Sequence, residues 1–498
     1  MPSPRLAIAA GNKLGAEAAA NVARAGGNAV DACLASAIMA WVAEPSLASL
    51  GGSGFIAICA PDGTHEVIDG NAAMPYTSPE YSGQGLERVY FPDYSDGMWT
   101  GIGPGSIAIP GVLEGVHAAW TRHGRIEWEA LFEDAIRAAR EGIPFALTSA
   151  YYISTTWDQL WSRYSSARAL FEHDGAILKA GDRLVQSDLA DSLETIAREG
   201  PDVFYGGDIG AQIVSEIAGE GGFLRLDDLR AYRAEIRRPI ATHAFGWNVE
   251  SNPPPAVGGA VLTHMLALME GADLGDPVQR LKTIVASQRA ATGYRKRHYN
   301  EPEDIAGALD AELARLQRGL QSPSTTHTSA ADADGFVCAF TESAGYSSGL
   351  IAAGVLLNNT LGEEELNPLG IHRLSPGSRC HSNMAPTIVT GPHRVVGLGS
   401  PGADRIVGAI AQTLVRLAVD DDSLADAIAA PRAHLDQRQQ GETLCYEPGL
   451  PGDRLDYLQR PYEELHMYFG GVQGASVDET GAVDAAHDPR RSGASALV

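Results

Sequence analysis

The chain is 498 residues long, 44% hydrophobic and 20% charged, enough apolar sequence for two to four domains or one large layered unit. A formal net charge of −25 argues against nucleic acid or an anionic membrane surface as partner, and says little about a substrate. No stretch approaches the ~18 apolar residues of a membrane span. Residues 1–10 lack a signal-peptide core of adequate length, so a cytoplasmic location is expected. The five cysteines (Cys33, Cys59, Cys338, Cys380, Cys445) are odd in number and widely spaced, without a CxxC. Buried free thiols are expected rather than a zinc ribbon or a redox pair.

In chain order, Leu14, Ala18, Val22 and Ala25 recur at helical spacing until Gly26-Gly27 ends the helix. Asn28 can cap a second helix carrying Val30, Leu34, Ile38 and Trp41, stopped by Pro45. Residues 55–60 and 65–69 read as a hairpin around Pro61-Asp62-Gly63, and residues 112–245 as mostly helical. Pro253 to Pro255, then Gly258-Gly259, form a break into another helix. Residues 301–324 read as a charged helix and a polar loop, a candidate processing linker. Beyond it come strands at 335–342, 349–358, 386–390 and 395–399, then a helix from Asp404 with Val407, Ile410, Leu414 and Leu417 on one face. No internal repeat occurs. The pattern fits a layered arrangement with helices outside packed sheets.

The most informative stretch is Ser324-Thr325-Thr326-His327-Thr328-Ser329, running into a strand with Asp334-Gly335 as the turn behind it. If the bond before Thr325 is cut, that threonine carries a free amine beside its own hydroxyl, a nucleophile with its base. Taken alone, the stretch also fits a hydroxyl-rich loop entering a strand. Two other signatures carry less. Gly397 to Gly402 matches G-x-G-x-x-G, but no apolar second strand or βαβ repeat follows, so close backbone approach to another group is the better reading. Gly345-Tyr346-Ser347-Ser348-Gly349 matches G-x-S-x-G without the helix a nucleophile elbow needs. No metal-ligand set or phosphate loop occurs, so neither metal nor cofactor is expected.

Together the motifs resemble the γ-glutamyltranspeptidase family of N-terminal-nucleophile hydrolases. The shared landmarks are Gly26 to Ala32, Glu44-Pro45, Leu50 to Phe55, Gly105 to Gly111, Pro253 to Gly259, Thr325 to Ser329, Leu357-Asn358-Asn359, Met384 to Thr387, Ser400 to Gly402 and Asp488 to Arg491. The resemblance implies an α+β fold, a four-layer αββα sandwich with a largely helical lobe in the large subunit. It implies a precursor that cuts itself between Ser324 and Thr325. Large (1–324) and small (325–498) subunits then stay associated, with a dimer of such heterodimers left open. Thr325 would be the nucleophile and Ser343 the hydroxyl that orients it. The Gly402-Ala403 backbone falls where the family builds its oxyanion hole. Thr326 as nucleophile is the alternative if the cut falls one residue later, and His327 is read as a structural hydrogen-bonder.

The substrate-binding positions depart from the family. Asn71 stands where an arginine normally clamps the glutamyl carboxylate. The family's amino-binding aspartate aligns with Gly362 or Glu363, a pocket asparagine with Gly345, and the paired serines with Ser382 and Asn383. Loss of the charge-assisted bond implies glutamyl binding weaker by about tenfold or more. The expectation is a self-processing threonine hydrolase cleaving an amide-type bond in a small molecule other than glutathione. The alternatives are a genuine γ-glutamyltransferase or glutathione hydrolase whose carboxylate clamp comes from elsewhere, such as Arg379 or Arg405, a member cleaving an unusual bond in a secondary-metabolite pathway, and an unprocessed binding protein.

Overall fold

The computed structural model describes residues 3–92, 97–299, 305, 325–402, 404–437 and 441–498. Strand β1 (Leu6–Ala10) leads into helix α1 (Lys13–Arg24), where the Asn12 side chain accepts the Gly15 amide and Gly26, at φ 99°, follows the last turn. Helix α2 (Ala29–Ala43) opens on a capping box between Asn28 and Asp31, and every one of its residues is buried. Strands β2 (Ser53–Cys59) and β3 (His65–Gly70) form the expected hairpin.

The helical stretch expected to reach residue 245 stops at Ala231. Strands β4 (Glu235–Arg237), β5 (Ile240–Ala244) and β6 (Trp247–Ser251) follow. The β5–β6 turn is Phe245-Gly246, both at positive φ, the geometry a two-residue hairpin demands. Helices α3 (Gly258–Met269) and α4 (Pro277–His298) come next. The expected helix and loop over 301–324, with Ser324, lies outside the described residues apart from buried Ile305. Ala403 lies outside them too.

Strands β7 (Thr326–Asp332) and β8 (Val337–Ser343) turn at Gly335, φ 103°. The strand expected over 349–358 is instead two short pieces, Ile351–Ala352 and Val355–Leu356, because Ala353 and Gly354 turn the chain at positive φ. Then follow β9 (Thr387–Thr390), β10 (Arg394–Gly399), α5 (Arg405–Val419), β11 (Gln473–Asp478), β12 (Val483–Ala486) and β13 (Ala494–Leu497).

One antiparallel sheet runs β4-β3-β2-β8-β7-β1-β13, the other β5-β6-β9-β10-β11-β12. Strand alternation sorts the side chains into three cores. Ile56, Ile58, Ala330 and Phe340 pack outward against Val30, Leu34, Ile38 and Trp41. Their neighbours Phe55, Ala57, Ala331 and Ala339 face Ile388, Ala475 and Val477 of the second sheet. Behind that sheet, Val249, Val396 and Leu398 meet Leu262, Ile284, Ile406 and Ile410 of α3, α4 and α5. The result is the four-layer αββα sandwich, of class α+β. All five cysteines are buried and none is in a disulfide, and among the described residues no helix is long and apolar enough to cross a membrane.

Strands from either side of position 325 alternate in the first sheet. β7 and β8 sit between β1 and β2, and β13 pairs with β1. Separating residues 1–324 from 325–498 would therefore break both edges of the β7–β8 hairpin.

Candidate active site

The alternation of β7 decides where each hydroxyl points. Thr326 and Thr328 face the helix layer: Thr326 Oγ1 donates to Glu44 Oε2 at 2.9 Å, and Thr328 Oγ1 lies 3.0 Å from Ser36 Oγ. His327 and Ser329 face the second sheet. The His327 ring bridges Thr341 Oγ1 (2.7 Å) and Ser329 Oγ (2.9 Å). The same period puts Thr325 on the His327 side. Extending the Thr326–Glu342 register by one residue sets Thr325 opposite Ser343.

Thr325 is buried and lines a cavity together with Asn71, Ser343, Glu363, Ser382 and Asn383, the side chains singled out from sequence. Ser53, Gly345, Thr360, Leu366, His381 and Met384 complete the wall. A wider cleft lies elsewhere, lined by Arg280, Thr413, Arg416 and Asp420, and does not include Thr325, so size does not mark the site. Among the described residues no His, Cys, Asp and Glu cluster could hold a metal ion.

Each wall residue is held by a specific contact. Ser343 Oγ accepts the Gly345 amide at 2.9 Å. Asn71 Nδ2 donates to the Cys380 carbonyl at 2.7 Å, while its backbone carbonyl accepts the Tyr232 hydroxyl, so side chain and main chain of this residue both tie the cavity wall together. Of the two positions aligned with the family's aspartate, Gly362 is pressed on the Gly101 backbone and Glu363 lines the cavity. The Glu363 carboxyl makes no hydrogen bond or ion pair among the described residues, and burial, reinforced by Glu365, pushes its pKa well up. Gly345, at φ 61°, must be glycine here: a Cβ would lie 2.7 Å from Glu363 Oε1. Ser382 Oγ accepts the Met384 amide, and its carbonyl accepts the Val257 and Gly258 amides where α3 begins.

Two contributors escaped the sequence reading. Buried Arg295, near the end of α4, donates to Asn383 Oδ1. A guanidinium only donates, so this contact fixes the amide with its NH₂ group turned away from Arg295. Burial lowers the Arg295 pKa to about 10. His381 is the other, 1% exposed. The proposed alternative clamps are committed elsewhere. Arg379 stacks 4.4 Å over Tyr232 and pairs with Asp69, and Arg405 pairs with Asp404 and donates to the Tyr468 carbonyl. Neither lines the cavity.

Gly402 is not part of the cavity wall either. It takes φ 118° in the loop between β10 and α5, where a Cβ would lie 2.9 Å from Gly470 Cα. The loop starts beside β7, since Gly399 lies against the His327 ring. The three glycines of the G-x-G-x-x-G stretch thus serve backbone approach: Gly397 packs on Val337, Gly399 on His327 and Gly402 on Gly470.

Burial lowers the His327 pKa from 6.5 to about 3, so the folded protein keeps this ring neutral. Below pH 6.5 the unfolded chain takes up a proton that the folded one refuses, and stability falls with pH down to about 3. The loss is about 1.4 kcal/mol per pH unit from this group. Comparing wild type with His327→Gln in urea at pH 7 and pH 5 checks it: the variant's deficit is expected to shrink at the lower pH.

Comparison with known proteins bears on this geometry. The sequence profile of the family described as Gamma-glutamyltranspeptidase matches residues 15–316 and 308–498. The glutathione hydrolase proenzyme of Escherichia coli (strain K12) is 28% identical over 94% of this chain and 88% of the relative. The acylase ACY 1 proenzyme of Pseudomonas sp. (strain SE83) is 32% identical over 89% of this chain and 84% of the relative. The crystal structure of cephalosporin acylase from Bacillus halodurans superposes with a TM-score of 0.83 over 99% of this chain and 96% of that one. At 22% identity that likeness bears on the fold alone.

Proposed function

Because the chain belongs to the gamma-glutamyltranspeptidase family and is an amide-cleaving enzyme of the N-terminal-nucleophile type, we propose that Thr325 is its nucleophile and the Thr325 amine its base. The observation that carries this is the shared cavity of Thr325, Ser343, Asn71, Glu363, Ser382 and Asn383. Scission between Ser324 and Thr325 frees an α-amine with an ordinary pKa of about 8. Its neutral form takes the hydroxyl proton as Oγ1 attacks the acyl carbon. The amine of the substrate then leaves with that proton, giving an ester on Thr325, and water releases the acid. By the family resemblance the Gly402-Ala403 backbone is the proposed support for the oxyanion, although Gly402 stands outside the cavity wall. Relatives named as proenzymes support processing of this precursor into fragments 1–324 and 325–498.

The substrate reading follows from the cavity wall. A γ-glutamyl head carries one carboxylate and one ammonium. The position of the carboxylate clamp is Asn71, whose amide is tied to Cys380, and among the described residues no arginine or lysine is in the wall. The acyl group is therefore proposed to be something other than γ-glutamyl. Kinetics with γ-glutamyl p-nitroanilide test this. The expected kcat/KM is at least about tenfold below that for the best acyl anilide of a panel, and turnover at the efficiency of an ordinary transpeptidase would refute the altered pocket.

A further inference from the structure

His381 lines the cavity that holds Thr325, is 1% exposed, and its Nε2 has no hydrogen-bond partner among the described residues. Buried polar atoms are nearly always bonded in native proteins, so an orphan in a functional cavity needs a reason. The ring sits on a backbone fixed on both sides. Cys380 N donates to the Ala72 carbonyl, the Cys380 carbonyl accepts from Asn71, and the Ser382 carbonyl accepts from Val257 and Gly258.

We infer that His381 contacts the substrate: its imidazole hydrogen-bonds a neutral polar group on the acyl part, making uncharged polar acyl groups the substrate class of this cavity. This rests on the reading of Thr325 as nucleophile. Burial, and then the charge of Arg295, lower the His381 pKa to about 4, so the ring stays neutral near pH 7. A neutral imidazole offers one N–H and one lone pair. A carboxamide, with a donor and an acceptor of its own, matches either tautomer. Glu363 points the same way, because burial raises its pKa and so disfavours the charged form that would act as a counter-charge to an ammonium.

The test compares p-nitroanilides of glutaramic acid, glutaric acid and the isosteric isopropyl-ended acid, which differ only at the far end of the acyl chain. The wild type is expected to favour the carboxamide by about tenfold in kcat/KM, through KM. His381→Leu is expected to erase the preference, and His381→Gln, which keeps a neutral donor and acceptor, to restore part of it. Processing of both variants into two fragments reports that they fold. A preference for the carboxylate, no preference at all, or one that survives His381→Leu overturns the proposal. If no anilide is turned over, the Thr325 reading fails instead. Calorimetry then decides the ring's role: tighter binding of glutaramide to wild type than to His381→Leu upholds it, and equal binding overturns it.

Discussion

Replacing Thr325 with alanine is expected to leave one full-length band on a denaturing gel, where the wild type gives a large and a small fragment. The same change is expected to lower amide turnover by on the order of 10⁴-fold or more, since the attacking oxygen and the amine that serves it are lost together. Misfolding is not the expected cause. The substitution removes a hydroxyl and a methyl from a residue that already borders a cavity, and both sheets are complete without scission. Thr325→Ser keeps an oxygen at the same place and is expected to process, more slowly. The geometry also favours Thr325 over its neighbour. Thr326 points into the helix layer and donates to Glu44, itself held by Asn12, so a cut one residue later would put the new hydroxyl on the wrong face of the sheet. N-terminal sequencing of the small fragment checks this directly: a start at Thr326, or a fully active protein that is never cut, contradicts the assignment.

What the sequence made legible follows a physical line. Local signals held: the Asn28 cap with Asp31 three residues on, Gly26 after α1, and the Asp334-Gly335 turn ahead of β8. Turns without such signals did not. Phe245-Gly246 and Ala353-Gly354 each put a side chain with no helpful chemistry at positive φ, which only the pairing of the flanking strands enforces. Strand β1, five apolar residues buried on both faces, shows no alternation to read. The same division holds in the site. Thr325 stood out because a hydroxyl run ahead of a strand has a chemical meaning of its own, whereas Ser343 came only from its place in the family resemblance. Arg295 sits among the basic residues of the last turn of α4, where charge at a helix C-terminus is ordinary. Only the packing of the outer helix layer on the second sheet brings it to Asn383. His381 was hidden for a similar reason, as a lone histidine in a loop carries no pattern.

Gly399→Ala is expected to be the most damaging conservative change near β7. A Cβ there would lie 2.3 Å from the His327 ring, which is fully buried and bonded through both nitrogens. Either β10 moves away from β7 or the ring turns and gives up two hydrogen bonds. Overpacking of this kind costs about 1–3 kcal/mol, and each lost bond adds about 1 kcal/mol. Processing is expected to slow as well, because Thr325 lies two residues from His327 on the same face of the strand. A double-mutant cycle isolates the contact. His327→Ala alone removes the ring, leaving a cavity and the Thr341 hydroxyl without its ring partner, while Ser329 Oγ keeps its bond to the Gln473 carbonyl, at a cost of about 2–4 kcal/mol. With the ring gone, the alanine at 399 has room, so the double variant is expected to be more stable than the sum of the single changes predicts, by over about 1 kcal/mol. The cycle is best read from urea unfolding in the Thr325→Ala background, where one continuous chain unfolds. Additive costs would mean that the glycine serves the loop that follows it rather than the ring. The close approach of β10 to β7 would then have no part in placing the nucleophile.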